Sequence, residues 1–106
     1  RYIAAVLYFS MGGSSWLEDY NFLSSDSICQ WNFDGSSGIN CDENGKVANL
    51  FIVDNALEGT IPSELGKMTG LQTINLYYNQ LSGAIPDLSA LNSLRQIDVD
   101  GNGLSG

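Results

Sequence analysis

The chain contains no histidine. That removes Ser-His and Cys-His nucleophile pairs, and with them the imidazole ligands that complete most zinc sites. Bases are scarce too. Arg1, Lys46, Lys67 and Arg95 stand against 12 acids, for a formal net charge of -8. Four scattered cations make no basic patch to neutralise phosphates, which argues against a nucleic-acid partner and against an anionic membrane surface. No run of about 18 apolar residues occurs, so no membrane insertion is expected of this segment. Residues 1–9 are too short and too mixed for the apolar region of a signal peptide, so the chain is expected to begin after any targeting segment. They read as a helix whose apolar side carries Ile3, Val6 and Leu7, with Tyr2 and Phe9 flanking. Cysteine is limited to Cys29 and Cys41, too few for a zinc site without histidine. A bond between them would close a short loop rich in Gly, Ser and Asn, contribute about 3 kcal/mol and imply an oxidising compartment. Two buried free thiols fit the same spacing. No cofactor or metal is expected.

What is present is apolar residues at 43%, charged residues at 15%, and a high content of Asn, Ser and Gly. This is the composition of a folded chain with short strands and many turns, and 106 residues make one small domain at most. The acids are spread out, as on a solvated surface that maintains solubility.

Internal repetition carries most of the information. Val47-Ala-Asn-Leu50-Phe-Ile52-Val-Asp-Asn55-Ala-Leu57-Glu-Gly59-Thr-Ile61-Pro62 returns as Leu71-Gln-Thr-Ile74-Asn-Leu76-Tyr-Tyr-Asn79-Gln-Leu81-Ser-Gly83-Ala-Ile85-Pro86. A third copy begins at Leu94 and continues through Ile97, Val99, Asn102, Leu104 and Gly106. The second copy is one residue shorter than the first, the loss falling near Pro86-Asp87-Leu88. Leu50/Ile52, Ile74/Leu76 and Ile97/Val99 alternate with other residues as a short strand requires, and should point inwards. Asn55, Asn79 and Asn102 fall where the chain leaves the strand. An inward amide there can bond backbone groups of adjacent coils. Gly59 and Gly83 permit a bend, and Leu65/Met68 and Leu88/Leu91 supply apolar contacts on the outer, convex segment.

This pattern resembles the leucine-rich repeat, whose period is about 20–29 residues. Leu57-Glu-Gly-Thr-Ile-Pro62 and Leu81-Ser-Gly-Ala-Ile-Pro86 are similar to the Leu-Ser-Gly-x-Ile-Pro stretch of the plant-type subclass. The first half resembles the N-terminal cap that precedes such repeats, through Trp16, Cys29-Gln-Trp31, Gly38-Ile-Asn-Cys41 and Asp42-Glu-Asn-Gly45. The Gly12-Gly13-Ser-Ser-Trp16 stretch is similar to versions in algal and protist repeat proteins. The resemblance implies an α/β, right-handed leucine-rich-repeat solenoid with an N-terminal helical cap closed by a Cys29–Cys41 disulfide. Residues 34–37 lengthen the cap hairpin beyond the family's usual form. The expected division is a cap at 1–46 and repeats at 47–106, namely 47–70, 71–93 and a partial 94–106. One coil cannot bury its apolar side alone. Further repeats or a partner chain are therefore expected to cover the open C-terminal end.

Four sites compete with plain structural readings. Trp16 and Trp31 could stack on sugars, but cap tryptophans ordinarily cover the apolar end of the first coil. Asp98-Val-Asp100-Gly-Asn102-Gly103 matches the opening of an EF-hand loop, yet the repeat register accounts for the same residues. The carboxylate pair Asp98 and Asp100 would project into solvent with no pocket to raise a pKa, and no Gly-rich phosphate loop follows a strand. We expect no catalysis. The concave sheet is the expected binding surface. Its outward residues form the ladders Asn49-Thr73-Gln96, Phe51-Asn75-Asp98, Val53-Tyr77-Asp100 and Asp54-Tyr78-Gly101, about 4.8 Å between strands. Phe51, Val53, Tyr77 and Tyr78, with Asn75 and the acids Asp54, Asp98 and Asp100, are the candidate ligand-binding residues. The resemblance implies a non-catalytic protein- or peptide-binding module of a secreted or membrane-anchored protein, extracellular or at the cell surface. The alternatives are a structural subunit within a larger assembly, and an oxidising organelle lumen as location.

Overall fold

The computed structural model describes residues 2–20, 22–25, 27–33 and 37–105. Arg1, residues 34–36 of the hairpin loop and Gly106, all invoked above, lie outside the described residues, as does the Tyr2 side chain.

Helix α1 spans Tyr2–Ser10. Ala4 and Leu7 are buried on it, followed by Met11, while Phe9 is 70% exposed. The apolar side therefore centres one residue away from the reading above, on Ala4 and Leu7, with Ile3 and Val6 only half-buried. Gly13–Ser15 forms a short 3-10 turn leading to Trp16, whose indole N–H donates to the Met11 carbonyl at 2.9 Å. Trp16 packs edge-on against Tyr8 and Phe22, and Phe22 packs in turn on Trp31. Both tryptophans are buried in this aromatic cluster, so neither offers a face to a sugar. A second 3-10 turn, Ile28–Gln30, presents Cys29, which is bonded to Cys41 across a Cα–Cα distance of 5.5 Å.

The repeat register becomes sheet register. Strands β1 (Asn32–Phe33), β2 (Ser37–Cys41) and β3 (Val47–Phe51) pair antiparallel, and β5 (Thr73–Asn75) and β7 (Gln96–Asp98) continue the sheet parallel to β3. Asn49 faces Thr73 and then Gln96; Leu50 faces Ile74 and then Ile97; Phe51 faces Asn75 and then Asp98. A second, parallel sheet follows the turns: β4 (Glu58–Thr60), β6 (Gln80–Gly83) and β8 (Gly103–Leu104). Between β4 and β5 the chain makes a 3-10 helix at Ser63–Lys67, closed by Met68 N–H donating to the Leu65 carbonyl, with both side chains buried. The second coil, one residue shorter, crosses the same span without a helix and is turned by Ser89 N–H donating to the Asp87 carboxylate at 2.9 Å.

Between the two sheets lies the core: Leu50, Ile52, Leu57, Ile74, Leu76 and Leu81 are all buried. Ile97 departs from expectation at 41% exposure, and Val99 is half-buried. Among the described residues, β7 has a strand neighbour on one side only, so its inward residues are covered by one coil rather than two. Gly59 needs its missing side chain: φ is +88°, and a Cβ would run into the Ser10 carbonyl oxygen. That close approach lets the end of α1 lie beside β4, where Ser10 Oγ donates to the Thr60 carbonyl at 2.8 Å.

Candidate functional site

Each strand of the β3-β5-β7 sheet ends in a turn built by an asparagine. Asn79 is buried, and its Oδ1 accepts from the backbone N–H groups of Asn55 and Leu57 at 2.9 and 3.1 Å. Its Nδ2 donates to the carbonyls of Ile52 at 2.9 Å, Leu76 at 3.0 Å and Tyr77 at 3.2 Å. Asn102 repeats the arrangement one coil on, accepting from Leu81 N–H and donating to Leu76 and Val99. Asn55 instead meets the N-terminal segment: its amide accepts from Glu18 N–H and donates to the Glu18 carbonyl, both at 2.7 Å. The EF-hand pattern is spent in this framework. The Asn102 amide is engaged with backbone, and Asp98 Oδ1 accepts from Asp100 N–H at 3.1 Å.

The turns hold their neighbours in unusual backbone. Asp54 and Tyr78 occupy equivalent places in successive coils and both have positive φ, +51° and +55°; the third place is Gly101 at +73°. A side chain there costs about 1–2 kcal/mol relative to ordinary helical or extended backbone. Strain of this kind persists only where the surroundings impose it. Here they do: Asp54 N–H donates to the Tyr77 carbonyl and Tyr78 N–H to the Asp100 carbonyl, both at 3.0 Å, extending the parallel ladder past the strands.

Of the candidate residues, Phe51 is 38% exposed and Tyr78 is 56% exposed, with Val53 and Tyr77 half-buried between them in the register. The Tyr77 and Tyr78 rings lie with centroids 4.0 Å apart. The Tyr77 hydroxyl is held above its ordinary pKa, first by a hydrogen bond with the Tyr78 phenol, then by lost hydration, then by the negative charge of Tyr78, Asp98 and Asp100. The tyrosine pair and the two acids thus share one neighbourhood. Asp54 and Asp100 are exposed beside them. Asn75 and Asp98 are less available: each is half-buried and accepts a bond from the N–H two residues on, at Tyr77 and Asp100. Two features went unread in the sequence. The Asn75 and Asp98 turns carry a recognisable signal, a short polar side chain at a strand end. The other is a cleft of about 430 Å³ beside the turns, lined by Tyr78, Gln80 and Gly101 and by Leu17, which is 77% exposed. Leu17 sits in non-repeating sequence, where no register could place it.

A family model described as Leucine Rich Repeat matches residues 70–90. The chain is 32% identical over 83 residues, 78% of its length, to the receptor-like kinase TMK4 of Arabidopsis thaliana, of which it spans 8%. It is 34% identical over 93 residues to polygalacturonase inhibitor 1 of Oryza sativa subsp. japonica, a match covering 85% of this chain and 26% of the inhibitor. Among solved structures, the Arabidopsis receptor kinase HAESA, in complex with the peptide hormone IDA and the co-receptor SERK1, superposes with a TM-score of 0.77. That superposition covers 97% of this chain and 17% of HAESA at 22% identity, which speaks to the fold alone. The chain thus spans about a quarter or less of these three proteins.

Proposed function

Since this chain belongs to the leucine-rich-repeat family, we propose that it is a non-catalytic recognition module whose concave sheet binds a protein or peptide. In this reading residues 1–46 are the cap, with α1 and the disulfide closing its end, and residues 47–106 are the first coils of a right-handed solenoid. The binding residues are Phe51, Val53, Asp54, Tyr77, Tyr78 and Asp100, with Asn75 and Asp98 shaping the turns beneath them. The observation that carries the reading is the packed Tyr77–Tyr78 pair, 4.0 Å between centroids, with Tyr78 kept on strained backbone and acids at the pair's edge. Aromatic anchors with a charged rim suit a protein or peptide interface. The rim favours a partner carrying Lys or Arg, with association faster at low salt.

The relatives support the same direction. One is named a receptor-like kinase and another an inhibitor of polygalacturonase, and the superposed receptor was solved with a peptide hormone bound. With the disulfide, they support an extracellular or cell-surface location, an oxidising organelle lumen being the alternative. A second reading, a structural subunit, draws on the part-exposed Ile97 of β7, which a further repeat or a partner chain would cover.

The experiment is selection of binders from a peptide display library on the oxidised chain, followed by affinity measurement with Tyr77→Ala, Tyr78→Ala and Glu64→Ala. Loss of binding with both tyrosine variants and not with Glu64→Ala is the expected result. A selected peptide that binds both tyrosine variants normally places recognition elsewhere and leaves the structural reading as the better one.

A further inference from the structure

A groove of about 260 Å³ lies where the N-terminal segment meets the first coil. Ile3 of α1, Ile28 of the disulfide-held turn, Val47 of β3 and Met68 give it apolar walls. Ile3, Ile28 and Val47 are part-buried against the core, so the groove is an opening onto the same apolar interior that holds the fold together. Lys46 and Lys67 also line it, both exposed, and among the described residues no acidic side chain does. Half of the chain's four bases therefore stand at one apolar groove, in a molecule of net charge -8. The Lys46 stem is fitted to the site: its Cγ and Cδ lie 3.1 Å from where a Cβ on Gly70 would stand, so the absence of a side chain at Gly70 lets the stem lie along the wall.

We propose that this groove binds a small organic anion, a molecule with an apolar body and one carboxylate or sulfonate head group. The apolar body removes water from the part-exposed Ile3, Ile28 and Val47, above the buried Met68. The head group meets two ammonium groups, each a strongly hydrated, mobile point charge suited to an anion of no fixed geometry. The volume lies just under the roughly 300–1,000 Å³ common for small-molecule pockets, which suits a compact ligand. The site is separate from the tyrosine face, shares no residue with it, and is independent of the recognition reading.

Three probes with one apolar body test it: phenylbutyrate, phenylbutanol and phenylbutylammonium, each titrated into the oxidised chain and followed by amide NMR. The carboxylate is expected to give saturable shifts at Val47, Met68 and Gly70, the alcohol weaker ones, and the ammonium none. Lys46→Met with Lys67→Met, which keeps the stems and removes the charge, is expected to weaken the carboxylate about tenfold and leave the alcohol unchanged. The proposal is overturned if none of the probes shifts these amides, if the ammonium binds as tightly as the carboxylate, or if the carboxylate's shifts fall on Phe51, Tyr77 and Tyr78 instead. Because the head-group comparison is made on the unmodified chain, an unstable double variant would not shield the proposal from failure.

Discussion

The Asn55 backbone N–H donates to Asn79 Oδ1 at 2.9 Å across 24 positions of sequence. This bond, with the four others made by the same buried amide, makes Asn79 a junction between two coils. Asn79→Ala leaves buried donors and carbonyls without partners and is expected to cost about 1–3 kcal/mol. Its neighbour Gln80 has an exposed side chain, so Gln80→Ala should change stability little. Urea unfolding of the two variants checks the contrast, and equal midpoints would refute the junction.

The Cys29–Cys41 bond ties the second 3-10 turn to the end of β2. Removing it as Cys29→Ser with Cys41→Ser frees a short loop in the unfolded chain and is expected to cost about 3 kcal/mol. Intact mass with and without reduction before alkylation reports the bond itself. Two alkylated thiols in the unreduced native protein would contradict it.

Tyr78 separates stability from binding. Its φ of +55° carries a strain that glycine lacks, while its ring is more than half exposed and packs on Tyr77. Tyr78→Gly is therefore expected to hold or raise the thermal midpoint, relief of about 1 kcal/mol offsetting the lost ring, and at the same time to weaken the selected peptide. Tyr78→Ala keeps the strained backbone and should be the less stable of the two. A Tyr78→Gly variant clearly less stable than Tyr78→Ala would mean that the turn does not impose the strain.

Tyr77 should ionise above the ordinary tyrosine range, because its protonated form keeps the hydrogen bond with Tyr78 and avoids adding charge beside Asp98 and Asp100. A raised folded-state pKa on a neutral acid means that the folded chain holds its proton longer than the unfolded one. The associated stability is complete below the unfolded value and is lost as pH climbs through the folded one. Carbon NMR of ring-labelled tyrosine follows the titration. Tyr78→Phe should bring the Tyr77 midpoint down, and a midpoint unmoved by that change would exclude the hydrogen bond as the main cause.

The strand register was legible because it is a consequence of the repeat length: once Leu50 is matched to Ile74 and Ile97, parallel pairing leaves no choice for Asn49, Phe51 and their partners. The inward amides followed from the same logic, since a turn between coils must satisfy its backbone groups. The same shift would have misplaced the second sheet, which pairs Glu58, Gly59 and Thr60 with Gln80, Leu81 and Ser82, two positions short of the motif alignment that matches Gly59 to Gly83. What stayed hidden depends on non-repeating contacts. The reciprocal bonds between Asn55 and Glu18 join a repeated residue to an unrepeated one, and the exposure of Ile97 depends on which strand stands at the sheet edge rather than on its place in the motif. For the candidate face, direction of side chains could be read but not availability. Phe51 and Tyr78 are open, whereas Asn75 and Asp98 have turned back to their own backbone.

The amides of the three turn asparagines all reach towards the N-terminus. Asn79 completes the turn that holds Asn55, Asn102 completes the one that holds Asn79, and Asn55 completes its own bonds at Glu18. The stack therefore has a polarity. Each coil thus carries the group that satisfies the turn of the coil before it, and the first of these asparagines is met by Glu18 instead of by a repeat. Each course is pinned by the next, like masonry, so the loss of one amide is felt in the coil before it.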